Sequence, residues 1–184
     1  MIEFDPTLVH EWLSRSARRF PDKVALICGR QRWTYKALDQ RAGHLAAALR
    51  DAGVRRQDRV VVFLDNSAET VISLYGILKA GGIFTILAGS MKGAKLRYIL
   101  ENSGASVLIA HTSKARVVQD ALNEGAGDCK VIWVGPSKRI PEQLSESSQS
   151  WDGIFSDFSK KAGDKYDDSR LPRCIDVDLA TLIY

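Results

Sequence analysis

"RVVVFLDNSAETVISLYGILKAGGIFTIL" fills residues 59–87, and its changes of period decide the fold. "RVVVFL" (59–64) is a continuous apolar run of strand length, which reads as a strand buried on both faces. "SAETVISLYGILKAGG" (67–82) reads as a helix with its turn. Asn66 is the expected cap, and Glu69 three residues on can reach back to it as in a capping box. Gly81 and Gly82 sit where a helix stops and a tight turn begins. A phosphate cradle would need its free N–H groups at a helix start, so the glycines are read as structural. "IFTIL" (83–87) is the next strand.

The alternation continues on both sides. Downstream, "KGAKLRYILENSG" (92–104) is a helix ending at Gly104, "SVLIA" (106–110) a strand, "SKARVVQDALNEG" (113–125) a helix and "KVIWVG" (130–135) a strand. Upstream, "TYKALDQRAGHLAAALRDAG" (34–53) is a helix with Thr34 as cap and Leu38, Ala42, Leu45 and Leu49 on one face. "KVALICGRQRWTY" (23–35) reads as two short strands turning at Gly29 and Arg30. "DPTLVHEWLSRSARRF" (5–20) reads as a helix with Pro6 near its start and Val9, Trp12, Leu13 and Ala17 on one stripe. The expected class is α/β, a largely parallel sheet with helices on both faces.

The composition shifts after Gly135. Residues 136–170 form a polar excursion, with a short helix near 151–158 carrying Trp151, Ile154, Phe155 and Phe158 on one face. "DVDLATLIY" (176–184) then reads as a buried strand, the kind that feeds a functional loop in α/β proteins. The expected division is an α/β subdomain over 1–135, the excursion over 136–170 and the strand segment over 171–184.

Composition bounds the function. The chain has 184 residues, 45% hydrophobic and 26% charged, with 26 Lys+Arg against 22 Asp+Glu and a net charge of +4. Its denser basic clusters, Arg15, Arg18 and Arg19, then Arg55, Arg56 and Arg59, lie beside apolar helices or strands. They lack the interleaved aromatics of a nucleic-acid platform, so no nucleic acid is expected as a partner. Cys28, Cys129 and Cys174 are odd in number and widely spaced, which fits reduced thiols in a cytoplasmic protein. "MIEFDPTLVHEW" (1–12) is no secretory signal, and no apolar run approaches the ~20 residues of a membrane span.

Motifs for catalysis are incomplete. His10, His44 and His111 have no histidine or cysteine neighbours at ligand spacing. "GAG" (125–127) lacks the third glycine of a dinucleotide fingerprint and precedes a strand instead of following one. No phosphate-loop lysine motif and no Gly-x-Ser-x-Gly elbow occurs. Read from its residues alone, the chain is an α/β domain with no complete catalytic set.

The order of the pieces carries further. Thr34, Tyr35 and Leu38 open the long helix as Thr-Tyr-x-x-Leu. "QDRV" (57–60) follows, and Leu78, Lys79, Ala80, Gly81 and Gly82 form Leu-Lys-Ala-Gly-Gly before a strand. Together these resemble the amino-terminal end of the adenylate-forming enzymes: acyl-CoA synthetases, adenylation domains of peptide synthetases, and luciferases. "DLATLIY" (178–184) extends the resemblance to the end of the chain. The resemblance implies the first subdomain of the large amino-terminal domain, part of an AMP-forming acid–thiol ligase. ATP, Mg²⁺ and coenzyme A are implied for the parent enzyme, with a carboxylic acid as substrate. In the family a strand like 179–184 runs into a Thr/Ser/Gly-rich loop ending in a lysine, which holds the phosphates of ATP. No catalytic, cofactor-binding or metal-binding residue is therefore assigned within 1–184, and the fragment alone is expected to be inactive.

Departures are confined to one turn. The family has a Pro in the strand and an Asp-Pro or Asn-Pro after it, whereas this chain has Ile86 and then Ala88-Gly89-Ser90. "LDNSAETV" (64–71) and "KGAKLRYILENSGASVLIA" (92–110) look more like acyl-CoA synthetases, and hence fatty acid metabolism, than like amino-acid-activating domains, which stay the alternative. Non-catalytic readings are a flavodoxin-like or receiver-like module and an interaction domain. Asp65 follows "RVVVFL", but no partner carboxylate pair and no later strand-end Lys accompanies it, as a receiver would need. The expected partners are the rest of the parent chain and, through the carboxy-terminal strand or the face beside it, a second copy of the fragment.

Overall fold

The computed structural model describes residues 8–123, 125, 129–140, 144, 148–161 and 171–184. The elements in chain order are α1 (Val9–Arg19), β1 (Val24–Cys28), β2 (Gln31–Thr34), α2 (Tyr35–Asp51), β3 (Arg59–Phe63), α3 (Ala68–Lys79), β4 (Ile83–Ile86), α4 (Gly93–Ser103), β5 (Ala105–His111), α5 (Ala115–Asn123), β6 (Lys130–Val134), β7 (Ser148–Ser150) and α6 (Trp151–Lys161). The chain is α/β. A five-stranded sheet in the order β4-β3-β5-β6-β7 is parallel throughout, and β1 and β2 form a separate antiparallel hairpin.

The continuous apolar runs have a simple cause. Side chains alternate across a strand, so a strand covered on both faces needs apolar residues at every position. Val60, Val62, Val107, Ile109, Ile132 and Val134 face one core, shared with Leu13 of α1, Leu45 and Leu49 of α2, Ile72 and Ile77 of α3, and Trp151 and Ile154 of α6. Val61, Phe63, Leu108, Ala110, Val131 and Trp133 face the other, against Leu96 and Ile99 of α4 and Val118 of α5. Each fully buried side chain of this kind contributes roughly 1.5–3 kcal/mol. The register keeps the two sets apart: Val62 pairs with Ile86 on one side and Ile109 on the other, and Ile109 pairs with Ile132.

Four local expectations change. The cap of α3 is Ser67 and not Asn66: the Ser67 hydroxyl accepts from the Thr70 N–H at 3.3 Å, and the Thr70 hydroxyl donates to the Asp65 carbonyl at 2.8 Å. In α1 only Leu13 and Ala17 are buried, while Val9 and Trp12 are 52% and 54% exposed. The Arg15 guanidinium lies 5.8 Å over the Trp12 ring and replaces core packing there. Pro6 lies outside the described residues.

The polar stretch 145–150 ends in a strand. β7 adds a fifth strand to the sheet, with Ile132 opposite Gln149 and Trp133 opposite Ser150. Polar composition hid it, because β7 is a three-residue edge strand. It leads directly into α6, whose Trp151 and Ile154 are buried as their spacing predicted. The Phe158 side chain lies outside the described residues.

Residues 179–184 are extended but not a buried strand. They touch β4 through a single parallel bridge, Phe84 to Thr181. Leu179 and Ile183 are 57% and 91% exposed. The segment lies beside β4, at the end of the sheet's strand order, and its ladder is too short to count as a strand.

Candidate functional site

Two regions at the ends of the sheet bring polar groups together over long sequence distances. The first is the carboxyl end of the sheet. The chain leaves β3 for β4 on one side and returns to β5 on the other. The crevice between β3 and β5 is thus the topological switch point, where open α/β sheets bind ligands.

Asp65 follows β3, Gly89 follows β4, and a short turn, Thr112–Lys114, follows β5. Lys114 Nζ donates to Asp65 Oδ1 at 3.2 Å and to the Gly89 carbonyl at 2.8 Å. Its charge also lies 5.1 Å over the Phe63 ring. Gly89 leaves room for the pair as it stands: a Cβ there would fall 1.9 Å from Asp65 Oδ1 and 2.9 Å from Lys114 Nζ, so both side-chain ends would have to shift. The Ala88-Gly89-Ser90 turn thus makes room for an ion pair that ties three strand ends together.

His111 Nδ1 accepts from the Ser113 N–H at 3.1 Å and lies 2.7 Å from the Ser113 hydroxyl. Thr112 is buried, and among the described residues its hydroxyl has no hydrogen-bond partner. The arrangement is a structural tie. The Lys114 ammonium, a strand-end lysine that the sequence did not lead one to expect beside Asp65, is paired with that carboxylate, and among the described residues no nucleophile–base–orienter set is assembled. Among the described residues no group of three His, Cys, Asp or Glu side chains could hold a metal.

The second region is the path of residues 171–184 along the other end of the sheet. Gly81 has φ +79, and a Cβ on it would lie 2.6 Å from Pro172 Cγ and 3.4 Å from Arg56 Cα. The Gln57 N–H donates to the Gly81 carbonyl at 2.7 Å, which joins the α2–β3 turn to the α3–β4 turn. Gln57 itself has φ 67, an uncommon conformation for a residue other than glycine. On this platform Arg56 grips Asp178 with two bonds, Nε to Oδ2 at 2.8 Å and Nη2 to Oδ1 at 2.5 Å. Asp178 also accepts from the Ile175 N–H at 3.1 Å and donates its own N–H to the Ile175 carbonyl. The segment then joins β4: the Phe84 N–H donates to the Ala180 carbonyl, and the Leu182 N–H to the Phe84 carbonyl, each at 3.1 Å. The Thr181 hydroxyl adds a bond to the Phe84 carbonyl at 3.0 Å, and the Tyr184 hydroxyl donates to Asn102 at 2.7 Å.

The hydrogen bonds from Arg56 hold the Asp178 carboxyl below its ordinary range. Burial, then the Asp178 charge, pushes the Cys174 thiol up. Burial alone pushes the Cys129 thiol up to about 12. All three cysteines are free. His44, on α2, lies 6.5 Å from the Phe155 ring and belongs to the helix packing. Sequence reading had no means of pairing Arg56 with Asp178, 122 residues apart, or Asp65 with Lys114, 49 apart. The one usable signal was the glycine that replaces the family turn at position 89.

The profile of a family described as AMP-binding enzyme matches residues 13–184. The chain is 36% identical over 105 residues to bacitracin synthase 1 of Bacillus licheniformis, which covers 57% of this chain and 2% of that protein. It is 37% identical over 102 residues to a medium/long-chain-fatty-acid–CoA/3-oxocholest-4-en-26-oate–CoA ligase of Mycobacterium tuberculosis, covering 55% of this chain and 19% of the ligase. The fold matches the crystal structure of coronafacic acid ligase from Pectobacterium brasiliense with a TM-score of 0.81 at 15% identity, over 96% of this chain and 33% of that one. The chain therefore spans only a small part of the relatives it matches in sequence, and about a third of that solved structure.

Proposed function

The chain belongs to the AMP-binding enzyme family, and from that premise we propose that it is the amino-terminal portion of an ATP-dependent acyl-CoA synthetase. The observation that carries the reading is the 37% identity to a CoA ligase over 102 residues. The resemblance of α4 and β5 to acyl-CoA synthetases points the same way. A second reading, an amino-acid-activating adenylation domain, is favoured by the 36% identity to bacitracin synthase 1.

The proposed parent reaction follows from the chemistry of a carboxylate. Its charge makes it a poor acyl donor, so it must first gain a leaving group. A carboxylate oxygen attacks the α-phosphorus of ATP, the bond to pyrophosphate breaks, and an acyl-adenylate forms. A thiol, that of coenzyme A, then attacks the acyl carbon and AMP departs. Such catalysis rests on alignment and on charge neutralisation. Lys114, the cation at the sheet's switch point, is already paired with Asp65 and the Gly89 carbonyl, which favours a supporting role for the described residues. Their proposed role is that of scaffold, with the sheet and its two turns holding residues 179–184 beside β4.

The test uses the parent protein that carries this portion. Pyrophosphate release and thioester formation are measured with fatty acids, aryl acids and amino acids in turn. Acid-dependent release with transfer to coenzyme A is expected. Release driven by amino acids alone, with no coenzyme A thioester, would favour the second reading.

A further inference from the structure

We propose that Arg56 and Asp178 are positioning residues, a clamp that sets where residues 179–184 lie against β4. The proposal starts from how little else holds that segment. Its contact with the sheet is confined to one residue, Phe84, through a single bridge with Thr181, two backbone bonds and the Thr181 hydroxyl, and its far end is held by the Tyr184 hydroxyl on Asn102. Of its apolar side chains Leu179 and Ile183 contribute little, being 57% and 91% exposed, while Ala180 and Leu182 are half-buried. A segment with so few buried contacts opens readily unless something else fixes it.

The clamp supplies that restraint at the point where the segment begins. A bidentate guanidinium–carboxylate pair fixes orientation as well as distance. Asp178 is itself held rigid, because its carboxylate and its N–H both close the turn on Ile175. Arg56 is held from below by the Gln57–Gly81 bond and by the packing of its Cα over Gly81. Pro172 rests on the same glycine, so the incoming chain and the clamp share one platform. This gives the Leu-Lys-Ala-Gly-Gly motif a use beyond stopping α3. Gly81 lets two turns and the returning chain meet where any side chain would block them.

For its consequence the inference rests on the function proposed above, in which the described residues serve as scaffold. The clamp would then set the course of residues 179–184 along that scaffold. Its geometry does not depend on that reading, and the test separates the two. Hydrogen exchange is followed at the Leu182 and Phe84 amides of the 184-residue chain, with amides of β3 and β5 as internal controls. Arg56→Ala and Asp178→Asn are each expected to raise exchange at Leu182 by about tenfold, with β3 and β5 unchanged. The reversed pair, Arg56→Asp with Asp178→Arg, is expected to restore most of the protection. Gly81→Ala, which displaces Pro172 without touching the charges, is expected to loosen Leu182 in the same way. Unchanged exchange at Leu182 in Arg56→Ala, or a reversed pair no better than the single variants, would overturn the clamp and leave the proposed function standing. A parent protein without acid-dependent ATP chemistry would remove the function and leave the clamp standing.

Discussion

Lys79 and Asp39 form one long-range ion pair in this chain, and Arg56 and Asp178 form another, yet they hold different things. Lys79 Nζ lies 3.0 Å from Asp39 Oδ1 with its side chain only 3% exposed. The Ser14 hydroxyl completes the network, donating to Asp39 at 2.7 Å and accepting from Lys79 at 2.9 Å. This pair joins α1, α2 and α3 inside the larger core. The Arg56 side chain is 42% exposed, and its pair joins a returning segment to a turn. Burial decides the consequence. A buried charge that loses its partner destabilises the whole fold, whereas an exposed pair that is lost frees only what it holds.

The largest expected effect is on the buried pair. Asp39→Ala removes a carboxylate from an enclosed ammonium, and unfolding in urea should show a loss of about 3 kcal/mol. A double change, Asp39→Leu with Lys79→Met, should recover most of that loss, since an apolar pair of similar size needs no solvation. A loss below about 0.5 kcal/mol in Asp39→Ala, the range of exposed pairs, would erase the contrast.

The difference between the two regions also explains what the sequence could tell. The apolar runs at 59–64, 106–110 and 130–135 and the helix face of Leu38, Ala42, Leu45 and Leu49 are local signals, and each became the element expected of it. Thr34 caps α2 through the Ala37 N–H, and Gly104 ends α4 in the left-handed conformation. The misreadings fell where local chemistry gives way to tertiary partners. "SQS" (148–150) has no strand composition, and β6 alone makes it one. "LATLIY" (179–184) has strand composition, yet little covers it. Arg56 looked like part of a solvated basic cluster because its partner lies 122 residues away. Of the site, Gly89 was visible as a departure from the family turn, and the two glycines at 81–82 as a helix stop without the chain that rests on them.

Acid sharpens the contrast. The Asp178 pKa is depressed in the folded chain by its hydrogen bonds to Arg56. Its contribution is therefore fully present above the ordinary carboxylate value of about 4 and is lost as the pH falls through the folded value. The facing charge is Arg56, which stays cationic, and the neighbouring Cys174 thiol is pushed up and neutral in this range. Below pH ~4 the Leu182 amide should lose protection while the amides of β3 and β5 keep theirs. Simultaneous loss at all three places would show that the terminal segment and the core open as one unit.

As proposed, the described residues of this chain serve as scaffold. The most direct measurement is titration of the 184-residue chain with Mg-ATP, alongside a pyrophosphate-release assay with mixed fatty and aryl acids. The account predicts absent or millimolar binding and no acid-dependent release, because Lys114 is already paired. Micromolar affinity for ATP, or release that depends on an added acid, would contradict it.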